Sequence, residues 1–145
     1  MRNSQKITRI HLSVNEQDIP SVIGIVTSDP DYKISLLLNK KLHISLRNTD
    51  PVEFTDSDGN MLVFSRFSDV SKAPDSTFYL ITNRSEKYFL LKKLVNIDYL
   101  LLLHDPGKNF DTALIMPQIR EIDSVTGVFN IDLKTLRDKN LKYLI

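Results

Sequence analysis

The stretch Ile97-Asp98-Tyr99-Leu100-Leu101-Leu102-Leu103-His104-Asp105 decides the fold. A strand buried on both faces reads as a continuous apolar run, whereas a strand with one wet face alternates. Leu100 to Leu103 fits the two-faced case, with even members packing into one layer and odd members into another. The turn signal Asp105-Pro106-Gly107-Lys108-Asn109 cuts the run to strand length, which argues against a buried helix.

Downstream of this strand, Asn109 or Asp111 can cap a helix with apolar positions Phe110, Leu114, Ile115, Ile119 and Ile122. Pro117 falls inside it and predicts a kink or a break, because proline loses an amide and clashes with the preceding turn. Val125 to Ile131 reads as a last main strand, with Gly127, Phe129 and Ile131 on one face. Asp132 caps a short helical turn beginning at Leu133.

Upstream, Phe78 to Thr82 and Lys87 to Leu91 read as a hairpin around Asn83-Arg84-Ser85-Glu86. Ser71 to Ser76 reads as a polar surface loop. Val52 to Thr55 and Met61 to Phe67 form another hairpin around Asp56-Ser57-Asp58-Gly59-Asn60, whose Asp-Gly step supplies the positive φ of a tight turn. Leu42, Ile44 and Leu46 alternate with polar residues and lead into an edge strand. A helix starts at Ser28-Asp29-Pro30-Asp31, with Asp29 as cap and Pro30 at the first helical position. It runs to about Lys41 with Ile34, Leu37, Leu38 and Leu42 inward. Before it, Ile19, Val22, Ile23 and Val26 return at helical spacing after Asp18-Ile19-Pro20-Ser21 and predict a short helix. Ile10, Leu12 and Val14 alternate as a first strand. The sum is a single α+β domain over residues 1–145, a mostly antiparallel sheet with two to four helices packed on it.

Composition narrows the function. The chain has no cysteine, so thiolate metal sites, disulfides and cysteine nucleophiles are excluded. Polar residues interrupt any signal-peptide core between Met1 and Leu12, and the longest apolar run is far too short to span a bilayer. These features predict a cytoplasmic protein with no membrane partner. Nineteen basic residues against eighteen acidic ones give a net charge of +1, which disfavours a generic polyanion binder without excluding nucleic acid.

Ile97-Asp98-Tyr99 also carries a resemblance. The chain resembles the IPExxxVDY family of uncharacterised bacterial proteins, familiar from Bacteroidetes, with Ile97 for the motif's valine. Leu91-Lys92-Lys93 stands at the Ile-Pro-Glu positions and departs from them at proline and glutamate. The likeness extends to Asp31-Tyr32, Phe78-Tyr79-Leu80-Ile81, Ile119-Arg120-Glu121-Ile122-Asp123, Phe129-Asn130-Ile131-Asp132 and Leu136, nearly the whole chain. It implies no activity, cofactor or catalytic residue.

Asp98 is the carboxylate of most interest, because strongly apolar residues surround it. Burial without a partner would favour its neutral form, unless backbone amides or a cation from Lys92, Lys93 or across the sheet compensate. The plainer reading makes it an anchor for the preceding turn. Tyr99 reads as a core or boundary aromatic with its hydroxyl near the surface. Asp98 and His104 lie six residues apart, roughly 20 Å along a straight strand, so they cannot act as a pair. His11, His43 and His104 show no metal-ligand spacing, and the four glycines form no phosphate-cradling loop. No cofactor, metal site or catalytic residue is predicted. Arg84, Lys87, Tyr88, Phe89, Lys92 and Lys93 interleave charge with aromatic rings, as single-strand binding platforms do. Strand alternation divides those rings between two faces, so a solvated edge is the simpler account.

The leading expectation is a non-catalytic protein-interaction or structural domain. A homodimer is one form of it, because Phe64, Phe67, Phe78 and Tyr79 exceed what one small core readily hides. Two alternatives remain: a nucleic-acid-binding module using Arg84, Lys87, Lys92 and Lys93, and a small-ligand domain or unfamiliar enzyme centred on Asp98 and Tyr99.

Overall fold

The leucine run is a strand, and it lies inside a sheet with neighbours on both edges. The computed structural model describes residues 19–144. Its elements are β1 (Ser21–Thr27), α1 (Asp31–Leu42), β2 (Arg47–Thr55), β3 (Met61–Lys72), β4 (Ser76–Thr82), β5 (Arg84–Ser85), β6 (Tyr88–Phe89), β7 (Tyr99–His104), α2 (Thr112–Arg120) and β8 (Val125–Ile131). A 3₁₀ helix, Lys139–Tyr143, follows. The strand expected around Ile10, Leu12 and Val14, with His11, lies outside the described residues.

The main sheet has the order β2-β3-β4-β7-β1-β8, antiparallel at every pairing. Leu101 of β7 sits between Leu80 of β4 and Ile23 of β1, and Leu102 sits between Tyr79 and Val22. Odd members of the run join Ile23, Ile25, Phe78 and Leu80 beneath α1 and α2. Even members join Val22, Phe64 and Ile81 in a second core on the opposite face. That second core is closed by the chain between β6 and β7 and by the segment after β8, through Leu90, Leu91, Ile97 and Leu144. The fold is thus α+β, with a layer of helices on one side and irregular arms on the other.

Three local expectations are corrected. Ser21–Thr27 is a strand, not a helix. Its β-branched residues are stiff at χ1 and suit a pleated sheet, and burial on both faces removes the alternation that would have marked it. Gly24 belongs here because a Cβ would stand 3.0 Å from Ile97 Cδ1 and 3.2 Å from Ile131 Cδ1. Second, Phe78 to Thr82 does not pair with Lys87 to Leu91. Both edges of β4 are taken, by β3 and β7, so the chain leaves the sheet and closes only the two-residue ladder β5–β6. Third, Phe64, Phe67 and Phe78 are buried and Tyr79 half-buried within one chain, because the two cores share them. The aromatic surplus that suggested a homodimer is absorbed.

Helix boundaries differ by less. Pro30 is the N-cap of α1, and its carbonyl receives the amides of Lys33 and Ile34. Asp29 therefore does not cap; its carboxylate takes the Ser124 hydroxyl and the Lys33 ammonium. Asp111 caps α2 by accepting from the Ala113 amide at 2.9 Å. The helix runs through Pro117 to Arg120 rather than breaking. Pro117 and Ala113 are both exposed, so the carbonyl deprived of its amide can turn to water. Leu114 points outward at 66% exposure, since so short a helix turns only the Ile115–Ile119 stripe inward. Asp132 organises a turn by accepting from the Lys134 amide, and the 3₁₀ helix comes later, capped by Asp138.

Candidate binding cleft

Leaving the sheet after β4 would expose a row of backbone groups, and one side chain answers for them. Asn83 is fully buried. Its amide donates to the carbonyls of Leu94 (2.9 Å) and Ile97 (2.8 Å), and its side-chain oxygen accepts from Leu91 N–H at 2.8 Å. A buried carboxamide satisfied in this way holds the arm between β6 and β7 to the sheet. Asn140 extends the lock: its amide donates to the Leu90 carbonyl at 2.7 Å. Asp138 accepts from the Lys92 and Asn140 amides, each at 2.9 Å. Two segments about fifty residues apart are fastened side by side.

Between them and the tip of the β2–β3 hairpin lies a cleft of about 550 Å³. Lys87 and Lys92 line it from one arm, Lys139 and Lys142 from the other. Phe54 and Tyr143 form part of its wall, stacked at 4.7 Å with planes 10° apart, and Tyr88 and Phe89 form another part. The Lys87 ammonium lies 5.6 Å from the Tyr88 ring centre, and that of Lys142 lies 5.3 Å from Tyr143. Among the described residues, none of these four lysines makes an ion pair with a carboxylate. Asp56 and Asp58 also border the cleft. Asp56 is already engaged: it accepts from the amides of Asp58 and Asn60 at 2.9 and 2.8 Å. The Asn60 hydrogen bonds hold its carboxyl below the usual range, and the Lys92 charge adds to this.

The remaining expected residues divide. Arg84 turns away from the cleft, with its guanidinium 3.7 Å from Asp98 Oδ1 and 5.9 Å from the Phe89 ring centre. Lys93 is exposed and outside the cleft lining. Asp98 lies just before β7, and its other oxygen accepts from Thr27 N–H at 3.0 Å. The compensating cation is thus Arg84, not Lys92 or Lys93. Tyr99 is buried rather than surface-reaching, and its hydroxyl donates to the Asp29 carbonyl at 2.6 Å. Burial, with Asp31, Asp98 and Asp29 nearby, pushes its phenol up to about 12. A hollow of about 330 Å³ reaches Asp98 and Tyr99, but both present groups already engaged within the fold. His104 ends β7, and His43 closes α1 in a left-handed conformation. Among the described residues no group of three or more histidines or carboxylates could hold a metal ion, and no helix is long and apolar enough to cross a membrane.

Sequence reasoning therefore found half of the cleft. Lys139, Lys142, Phe54 and Tyr143 were missed, although Lys142-Tyr143 repeats the Lys87-Tyr88 pair and is the signal that could have found them. No family model, curated protein or solved structure shows a significant match to the chain. The resemblance to the IPExxxVDY family rests on the residues quoted above.

Proposed function

We propose that this chain is a non-catalytic binding domain whose working surface is the lysine-lined cleft, and that its partner is anionic. The observation that carries this reading is the gathering of Lys87, Lys92, Lys139 and Lys142 from two distant segments, none paired with a carboxylate among the described residues. Like charges brought together repel, so the arrangement is relieved when an anion enters. Catalysis has less support. The cleft lining offers lysines, aspartates and phenols but no histidine, and Asp98 and Tyr99 are occupied elsewhere.

The test is retention on a sulfated resin and anisotropy of a labelled poly-glutamate peptide, at low and high salt. The expected result is salt-sensitive binding that K92A/K139A/K142A weakens by about tenfold or more, each lost phosphate-like contact being salt-dependent. All three side chains are exposed, so circular dichroism should be unchanged. Equal binding by the variant and the parent chain would remove the cleft from the reading.

A further inference from the structure

The size and lining of the cleft say more than its charge. Small-molecule sites occupy roughly 300–1,000 Å³ and combine apolar walls with a few placed polar groups. This cleft, at about 550 Å³, is on the scale of one nucleoside with its phosphates. Its walls carry half-buried aromatic rings, Tyr88 and Phe89, where a flat base can stack. Its rim carries four ammonium groups and no arginine, a set of mobile point charges suited to clustered phosphate oxygens. The carboxylates of Asp56 and Asp58, on the hairpin side, offset two of these four charges, and Asp56 already feels the Lys92 charge, so phosphates are drawn to the side of Lys139 and Lys142.

The charge of the whole chain decides between a small phosphate ligand and a long one. A protein that tracks a nucleic-acid backbone needs a basic groove of several nucleotides. Here the net charge is only +1. Arg84, which would extend the basic track along the first arm, is drawn to Asp98. Four lysines gather where one ligand fits.

We infer that the cleft binds a nucleoside polyphosphate, with the base on the Tyr88 and Phe89 side and the phosphates on Lys92, Lys139 and Lys142. This rests on the cleft being the working surface. Calorimetric titration of the full chain should compare ATP, adenosine, inorganic tripolyphosphate and a single-stranded oligonucleotide. ATP is expected to bind at least about tenfold more tightly than adenosine or tripolyphosphate, the usual scale of a lost stacking or charge contact. Tyr88→Leu, which keeps an apolar filling, should weaken ATP about tenfold and leave tripolyphosphate unchanged. K92A/K139A should weaken both.

Tripolyphosphate binding as tightly as ATP, with Tyr88→Leu silent, would overturn the nucleoside assignment while leaving the anion-binding cleft in place. An oligonucleotide binding more tightly than ATP would overturn it in favour of a single strand. Failure of every anion, poly-glutamate and the sulfated resin included, would overturn both readings.

Discussion

The two faces of the sheet are covered in different ways. On one, α1 and α2 lay regular stripes, Ile34 with Leu38 and Ile115 with Ile119, over Ile23, Leu80 and Leu101. On the other, nonhelical arms cover Val22, Phe64 and Leu102 with Leu90, Leu91 and Leu144. The fastenings differ too. Carboxylates, beside the Asn39 carboxamide that clasps Leu46, tie the helical layer: Asp69 accepts from Ser45 N–H beyond α1, and Asp105 accepts from Asn109 and Phe110 N–H before α2. Buried carboxamides, Asn83 and Asn140, tie the arms, with Asp138 beside them. A regular layer satisfies its own backbone and needs fixing only at its ends. An irregular layer needs side chains to satisfy its backbone, and it can shape a cleft where a helix would present a ridge.

The sharpest way to probe this contrast is the pair Leu101→Ala and Leu102→Ala, neighbours on one strand facing opposite layers. Both are buried. Leu101→Ala should cost about 4 kcal/mol, because two packed helices cannot easily collapse into the void. Leu102→Ala should cost about 2–3 kcal/mol, since an irregular cover relaxes more readily. Urea unfolding with unchanged m-values measures both, and equal costs would end the distinction.

Asn83→Ala comes next, at about 3 kcal/mol, because it strips the buried Ile97 carbonyl and Leu91 amide of their partner, while the Leu94 carbonyl keeps the Ile97 N–H. Hydrogen exchange should show the loss concentrated at Leu91 and the neighbouring arm, with α1 protected as before. Uniform loss across the chain would mean that the arms and helices open as one unit.

The smallest effect is acid sensitivity. Burial would raise Asp69 and Asp105, but for Asp69 the Ser71 and Ser45 hydrogen bonds outweigh it, and for Asp105 those from Asn109, Ser76 and Phe110 do; both carboxyls end lowered. A group lowered in the folded state contributes stability above its unfolded value, near 3.8, and loses it as pH falls through the depressed native value. Amides at Ser45, Asn109 and Phe110 should therefore lose protection before Leu91, whose carboxamide acceptor does not titrate. Simultaneous loss would show that the two kinds of fastening are not separable.

Reading the chain alone recovered what local chemistry controls. The two-faced strand, the Asp-Gly hairpin with Gly59 at φ 86°, a cap at Asn109 or Asp111 that the structure gives to Asp111, and the last strand all declare themselves within a few residues. Ser21–Thr27 misled, because a run apolar on both sides satisfies helical and strand periods together. The hairpin proposed for Phe78 to Leu91 also misled, since adjacency in sequence favours pairing and only a third strand arriving from residue 99 displaced it. Lys87 to Lys92 carried a legible half of the cleft, while Arg84 and Lys93 at the ends of the same basic stretch fell outside it. Nothing near Asn83 or Asn140 marks either as a structural hub, because a carboxamide's value depends on which backbone groups other segments leave unpaired.

The α+β class, the central strand and most element positions are written locally, since they follow from burial patterns and turn chemistry acting over short spans. The pairing of β4 with β7, the Arg84–Asp98 contact and the meeting of Lys87 and Lys92 with Lys139 and Lys142 emerge only in the folded chain. Those are contacts between segments far apart in the chain, and their free energy appears only once the sheet has brought them together.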